Sequence, residues 1–196
     1  THMSVEVETQ GGVTLVTLRR PDVRNAVDAA TAHALHAAFV AFEQDDRAHV
    51  GVFQGAGGHF CAGGSLGGFA SSIGSPLPAG AQDPLVQVNR EFGHLLQLLA
   101  ELPQLLIAAV QGAAMGGGVG LVCVADWVVA DQQAVFATPE VTLGIVPAQI
   151  APFVLRRLGE GYARQWLLGG QRWSASQAQQ AGLVQAVIQA TDAAHW

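Results

Sequence analysis

The chain contains no lysine: all nine of its basic residues are arginine. That excludes Schiff-base chemistry and a phosphate loop ending in lysine, because both need an ε-amine. Basic charge is scarce altogether. Nine arginines stand against 15 acidic residues, giving a net charge of −6. There is no basic stripe, so the footprint of a nucleic-acid binder is missing. Only two cysteines occur, Cys61 and Cys123, too few for a disulfide framework and without metal-ligand spacing. No metal site is expected, and two reduced thiols fit a cytoplasmic protein. No signal peptide follows Met3, and Thr1 and His2 before it read as a remnant foreign to the fold. One apolar run, Leu105 to Val124, reaches membrane-span length. It holds Gln111 and the cluster Gly112, Gly116, Gly117, Gly118 and Gly120, which suits a loop and a helix start. No membrane contact is expected.

What is present is apolar. Half of the 196 residues are hydrophobic and 12% are charged, which predicts one globular domain over residues 3–196. Val5–Val7 and Val13–Leu18 flank Gly11-Gly12 and read as a β-hairpin. Asp28 then caps a helix whose apolar positions Leu35, Ala38, Phe39 and Phe42 recur at helical spacing. Strands follow at Val50–Gln54, Leu105–Val110, Trp127–Ala130, Val135–Phe136 and Val184–Val187. Helices are predicted over Leu85–Leu102, Gly117–Ala125, Ala148–Leu158 and Tyr162–Leu168, with one more from Ser174 to Gly182. Ser71–Asp83 reads as a mobile loop. Trp127, Trp166 and Trp173 fall at core-like positions. The order of strand, glycine-rich turn and helix is an α/β arrangement.

Two glycine loops carry the candidate chemistry. The first spans Gly55 to Leu66 and follows a strand. The second, Gly112 to Gly120, also follows a strand and opens a helix. Glycine permits turns and close approach that a Cβ would block. A helix N-terminus offers unpaired N–H groups and about half a positive charge. Two such loops converging would hold an oxygen that gains negative charge during reaction. A dinucleotide fingerprint is the competing reading, but Gly116–Gly120 does not spell G-x-G-x-x-G. Glu140, at the spacing of a ribose contact, follows Pro139 in a loop-like segment rather than ending a strand. His59 and His94 have no partner at metal or triad spacing, and Cys61 lacks a nearby base, so packing suits it better than catalysis.

Seven segments in order resemble the enoyl-CoA hydratase/isomerase (crotonase) family. They are Arg20-Pro-Asp-Val-Arg-Asn-Ala26, His59-Phe-Cys-Ala-Gly-Gly64, Ala113-Ala-Met-Gly-Gly-Gly118, Ala125-Asp126, Phe136-Ala-Thr-Pro-Glu140, Leu143-Gly-Ile-Val-Pro147 and Ala181-Gly-Leu-Val184. The resemblance covers roughly residues 5–188. It implies a ClpP-like spiral of ββα turns, an acyl-CoA thioester as substrate, and a homotrimer or hexamer. No separate cofactor is implied, because coenzyme A arrives as part of the substrate. By resemblance, the N–H groups of Gly64 and Gly117 are the oxyanion donors, and the adenine end of coenzyme A lies along Ala62, Gly64, Ser65 and Leu66. Arg24, in the turn that ends at Ala26, would meet a coenzyme A phosphate.

The resemblance also assigns the proton carrier. Hydratases of the family typically use two glutamates. The first position is Gly120 here, which cannot transfer a proton; the second matches Glu140. A lone carboxylate suits a reaction in which one group takes a proton and returns it elsewhere, such as double-bond isomerisation. The runs Gly118–Asp126 and Pro147–Val154 look instead like hydratases of branched glutaconyl-CoA esters (isohexenylglutaconyl- and methylglutaconyl-CoA hydratases), which also lack the first glutamate. Two departures stand out. Ser65 and Gly67 replace the aspartate and lysine common in the family. The chain also stops at Trp196, where relatives continue into C-terminal helices, so that helical region is expected to be short or absent. A non-catalytic acyl-CoA binder is the remaining alternative.

Overall fold

The structure, a computed structural model, describes residues 3–64, 80–81 and 83–189. Ser65 and Leu66, and the predicted loop Ser71–Asp83 apart from positions 80, 81 and 83, lie outside the described residues.

The chain opens with β1 (Val5–Gln10) and β2 (Val13–Leu18), paired antiparallel in the predicted hairpin. Gly11 and Gly12 both take positive φ (58° and 84°), the two-residue turn whose twist matches that of the strands. Asp28 then starts α1 (Ala29–Glu43), its carboxylate accepting from the Thr31 N–H at 2.8 Å. The helix buries Ala32, Leu35, Phe39 and Phe42, three and four residues apart, as the apolar spacing predicts. β3 (Val50–Gly55) runs parallel to β2. Phe39, Phe53 and Phe60 form an edge-to-face series with centroids 5.4 and 5.2 Å apart, fastening α1 to β3 and to the first glycine loop.

α2 (Pro84–Ala100) crosses to β4 (Leu105–Val110), and the short strand β5 (Ala113–Met115) leads into α3 (Gly117–Cys123). Then come β6 (Trp127–Asp131), β7 (Val135–Ala137) and a 3-10 turn at Pro139–Leu143. The remaining elements are α4 (Ala151–Gly169), β8 (Arg172–Ser174), α5 (Ala175–Gln180) and β9 (Ala186–Ile188). Six strands form one sheet in the order β1-β2-β3-β4-β6-β9, parallel except for the first pair. A second sheet, β5-β7-β8, has three strands. The α/β expectation holds.

Several details differ from the sequence reading. β5 and β8 were not expected; each is three residues long and exists through its pairing with β7. The two helices expected on either side of Gly159 are both present within α4, separated where Gly159 leaves the helical conformation at φ 73° and ψ 166°. The last strand starts two residues later and ends one later than expected, with Val184 buried in the turn before it. Trp127 is a correction. Trp166 and Trp173 are buried and stacked at 4.1 Å, but Trp127 is 49% exposed. It opens β6, where strand alternation turns Val128 inward and its neighbour outward. No helix among the described residues is long and apolar enough to cross a membrane.

Candidate active site

The end of the first glycine loop is stitched to the start of the second. Phe60 N–H donates to the Gln111 carbonyl, Cys61 N–H to Ala113, and Met115 N–H back to Cys61, at 2.8, 3.0 and 2.9 Å. On its other side the loop bridges to Val27, whose N–H donates to the Gly63 carbonyl at 2.8 Å. This pairing sets Gly64 beside Gly117. A Cβ on Gly117 would lie 3.8 Å from the Gly64 nitrogen, and one on Gly63 would lie 3.7 Å from the Gly117 nitrogen. Gly116, at φ 51°, turns the chain from β5 into α3, so Gly117 carries the first N–H of that helix, which has no intrahelical acceptor.

Gly64 and Gly117 line one cleft of about 180 Å³ together with Glu140, Phe92 and Ile150. Glu140 reaches it from the 3-10 turn after β7, which the second sheet holds against β5. Its Oε1 sits 2.6 Å from where a Cβ on Gly116 would be, so any side chain at 116 would displace the carboxylate. Its Oε2 is buried without a hydrogen-bond partner among the described residues. Burial pushes the Glu140 carboxyl above its ordinary value, against a hydrogen bond from its own backbone. Such a carboxylate is under-solvated and positioned to accept a proton.

The cleft's other acid is spoken for. Asp28 accepts from the Thr31 N–H and hydroxyl at 2.8 Å each and pairs with Arg20 at 2.8 Å. Burial raises its pKa, but the Thr31 hydrogen bonds and Arg20 outweigh this and leave it below the usual value. Gly120 lies in the buried face of α3, and the room beside it is taken. A Cβ there would meet Ile150 Cγ2 at 2.5 Å and Leu96 Cδ1 at 3.2 Å. The cleft therefore presents one uncommitted carboxylate among the described residues.

Of the sequence-predicted site residues, Gly64, Gly117, Glu140 and Ala62 all line this cleft. Arg24 is exposed at φ 51°, and its carbonyl accepts from the Ala62 N–H at 2.9 Å, so the turn ending at Ala26 abuts the loop. Ser65 and Leu66 are not among the described residues. Cys61 and Cys123 are buried, and burial pushes both thiols up to about 12, which fits packing rather than nucleophilic use. No three His, Cys, Asp or Glu side chains among the described residues come together as a metal site would require.

Sequence reasoning missed Asn25 as an organiser. It is fully buried at φ 58°, a left-handed conformation that Asn tolerates better than most residues. Its Oδ1 accepts from the Arg20 N–H at 2.8 Å, and its Nδ2 donates to the carbonyls of Ala56 and His59 at 2.8 and 2.7 Å. The signal was there: an Asn in a turn after Pro21, beside a glycine loop that needs an anchor. His59 adds a second tie, its Nδ1 accepting from the Ala113 N–H at 3.2 Å.

The Gly64 and Gly117 nitrogens lie close together in a largely apolar cleft that also holds the buried carboxylate oxygen, an arrangement of the kind that suits oxyanion stabilisation beside a proton carrier. Residues 8–195 match the family model for enoyl-CoA hydratase/isomerase. The chain is 34% identical over 191 residues to a carnitinyl-CoA dehydratase of Proteus mirabilis, covering 96% of this chain and 69% of that protein. It is 36% identical over 183 residues to the 2,3-dehydroadipyl-CoA hydratase of Escherichia coli, covering 93% and 68%. Among solved structures, an enoyl-CoA hydratase/isomerase from Marinobacter aquaeolei and Pseudomonas aeruginosa AtuE each superpose with a TM-score of 0.91 at 40% identity. Each match covers 98% of this chain and 73% of the other. The chain belongs to the enoyl-CoA hydratase/isomerase family and has the crotonase fold, and it is an enzyme of that family.

Proposed function

We propose that the protein hydrates a 2-enoyl-CoA, with the Gly64 and Gly117 N–H groups holding the thioester oxygen and Glu140 carrying the protons. The single observation behind this reading is the meeting, in one cleft, of those two amides and a buried Glu140 oxygen that has no partner among the described residues. Conjugate addition at C3 places negative charge on the thioester oxygen. Each well-aimed amide stabilises that charge by roughly 2.7–4 kcal/mol. Glu140 takes a proton from water as the water oxygen bonds to C3, and the same proton, or one exchanged with solvent, is then delivered to Cα. The double bond is consumed and no cofactor is required. Coenzyme A enters as part of the substrate, with Arg24, Ala26, Ala62, Ser65 and Leu66 along its path. A homotrimer or hexamer in the cytoplasm completes the proposal.

A specific observation favours Δ3-Δ2 isomerisation as the second reading. Ile150 fills the space beside Gly120, so one uncommitted carboxylate serves this cleft among the described residues, and moving one proton from C2 to C4 needs no more. The runs Gly118–Asp126 and Pro147–Val154 support a branched glutaconyl-CoA as the hydration substrate.

Incubation with crotonyl-CoA, a 3-enoyl-CoA and methylglutaconyl-CoA separates the readings. Loss of enoyl absorbance supports hydration, whereas its appearance from the 3-enoyl ester supports isomerisation. Binding without either change identifies a non-catalytic acyl-CoA binder. Glu140→Gln lowers turnover at least about 100-fold with little loss of coenzyme A affinity. Unchanged turnover in that variant removes Glu140 from the mechanism.

A further inference from the structure

Beyond Gln149 the cleft does not end. A second, more open groove adjoins it, sharing Asn89, Ala148 and Gln149 as the boundary. Its character is different. Where the first cleft is walled by Val88, Phe92, Ile145 and Ile150, the second mixes Val86, Pro152 and Phe153 with Arg90, His94, Gln97 and the two boundary amides, and no acid lines it among the described residues. Arg90 and His94 stand one helical turn apart on α2 and so present their heads to the same side. Arg90 forms no ion pair with any described residue. Gly93, between them, is what lets the boundary form. The Gln149 Oε1 lies within bonding distance of where its Cβ would be, so only glycine leaves room for that carboxamide against α2.

We propose that this groove receives the far end of the acyl chain, and that the end it accepts is a carboxylate; the proposal rests on the acyl-CoA reading of the first cleft. The relatives act on chains of opposite terminal charge by their names alone: a carnitinyl group ends in a quaternary ammonium, a dehydroadipyl group in a carboxylate. An arginine without a counter-ion and the lack of an acid in the lining, both among the described residues, disfavour the cation. The guanidinium fork matches a carboxylate in bidentate geometry, and amides at the boundary can hydrogen-bond its remaining lone pairs. An apolar stretch leading to an end that meets the arginine fits the change from the first lining to the second. The middle of the chain lies against Val88 and Phe92, and its terminus passes Gln149.

The test compares two saturated six-carbon thioesters that differ only at the far end, hexanoyl-CoA and adipyl-CoA. Their affinities are measured by calorimetry for the wild type and for Arg90→Gln, and turnover of 2-hexenoyl-CoA is followed separately. The groove predicts that adipyl-CoA binds at least about tenfold tighter than hexanoyl-CoA, and that R90Q brings the two affinities close to parity, since a charge-assisted bond contributes of this order. Equal affinities in the wild type, or a preference that survives R90Q, overturns the proposal. Failure to consume 2-hexenoyl-CoA bears on the catalytic reading alone, because the affinity ratio is read from esters that do not react.

Discussion

At the scale of single residues, the energetics concentrate on Glu140 and Gly120. Glu140 holds a buried oxygen without a partner among the described residues, and burial raises its pKa, so ionising it costs more in the folded chain than in the unfolded one. The sign follows. Its contribution to stability is fully present below the unfolded pKa and is lost as pH rises through the folded one. Glu140→Gln removes that loss, so its melting temperature should exceed the wild type's at pH 8, with the difference shrinking at pH 4. A pH-independent difference in melting temperature contradicts this. Gly120→Ala should destabilise by about 1–3 kcal/mol, because its Cβ collides with Ile150 Cγ2. In the Ile150→Ala background that penalty should shrink by about 1 kcal/mol, measurable by urea denaturation as a double-mutant coupling. The loss of a carboxylate at Gly120 was legible in the sequence. That Ile150 had filled the space was not, because the contact joins residues 30 positions apart through the packing of α3 on α4.

At the scale of elements, the site depends on how two loops are held. Asn25 closes the turn before α1 on the Arg20 N–H and anchors that turn to the first glycine loop through two hydrogen bonds, to the Ala56 and His59 carbonyls. Asn25→Ala leaves two carbonyls and one N–H unsatisfied at a left-handed position, and should cost at least about 2 kcal/mol by thermal or urea melting. A smaller cost assigns the anchoring to the backbone pairing of Phe60–Cys61 with β5 instead. The long helices were legible because their apolar residues recur at a helical period, as Leu35, Phe39 and Phe42 do in α1. β5 and β8 were not. A three-residue strand is too short to show alternation, and what makes Ala113–Met115 extended is the availability of Val135–Ala137 as a partner. Trp127 misled for a related reason. Its size suggested the core, but its place in the β6 alternation faces it outward.

At the scale of the whole molecule, the candidate site comes from the meeting of two sheets. The six-stranded sheet delivers the first glycine loop from the end of β3, and the three-stranded sheet delivers β5 with α3 and, through β7, the turn bearing Glu140. No segment alone carries the site. That is why seven segments in order, rather than any one of them, carried the family resemblance. Which residues would line the cleft opposite Glu140 could not be read from order or period, since Phe92, Ile150 and Gln149 reach it from separate helices and their flanks.

The most direct test of the enolate site is α-proton exchange in a saturated ester. Hexanoyl-CoA in heavy water, followed by proton NMR, has no double bond to hydrate or move. Deuterium enters Cα only if the amides support an enolate while a base removes the proton. The wild type should exchange its α-protons, and Glu140→Gln should do so at least about 100-fold more slowly. No exchange by the wild type, or equal exchange by the variant, contradicts the role given to Gly64, Gly117 and Glu140.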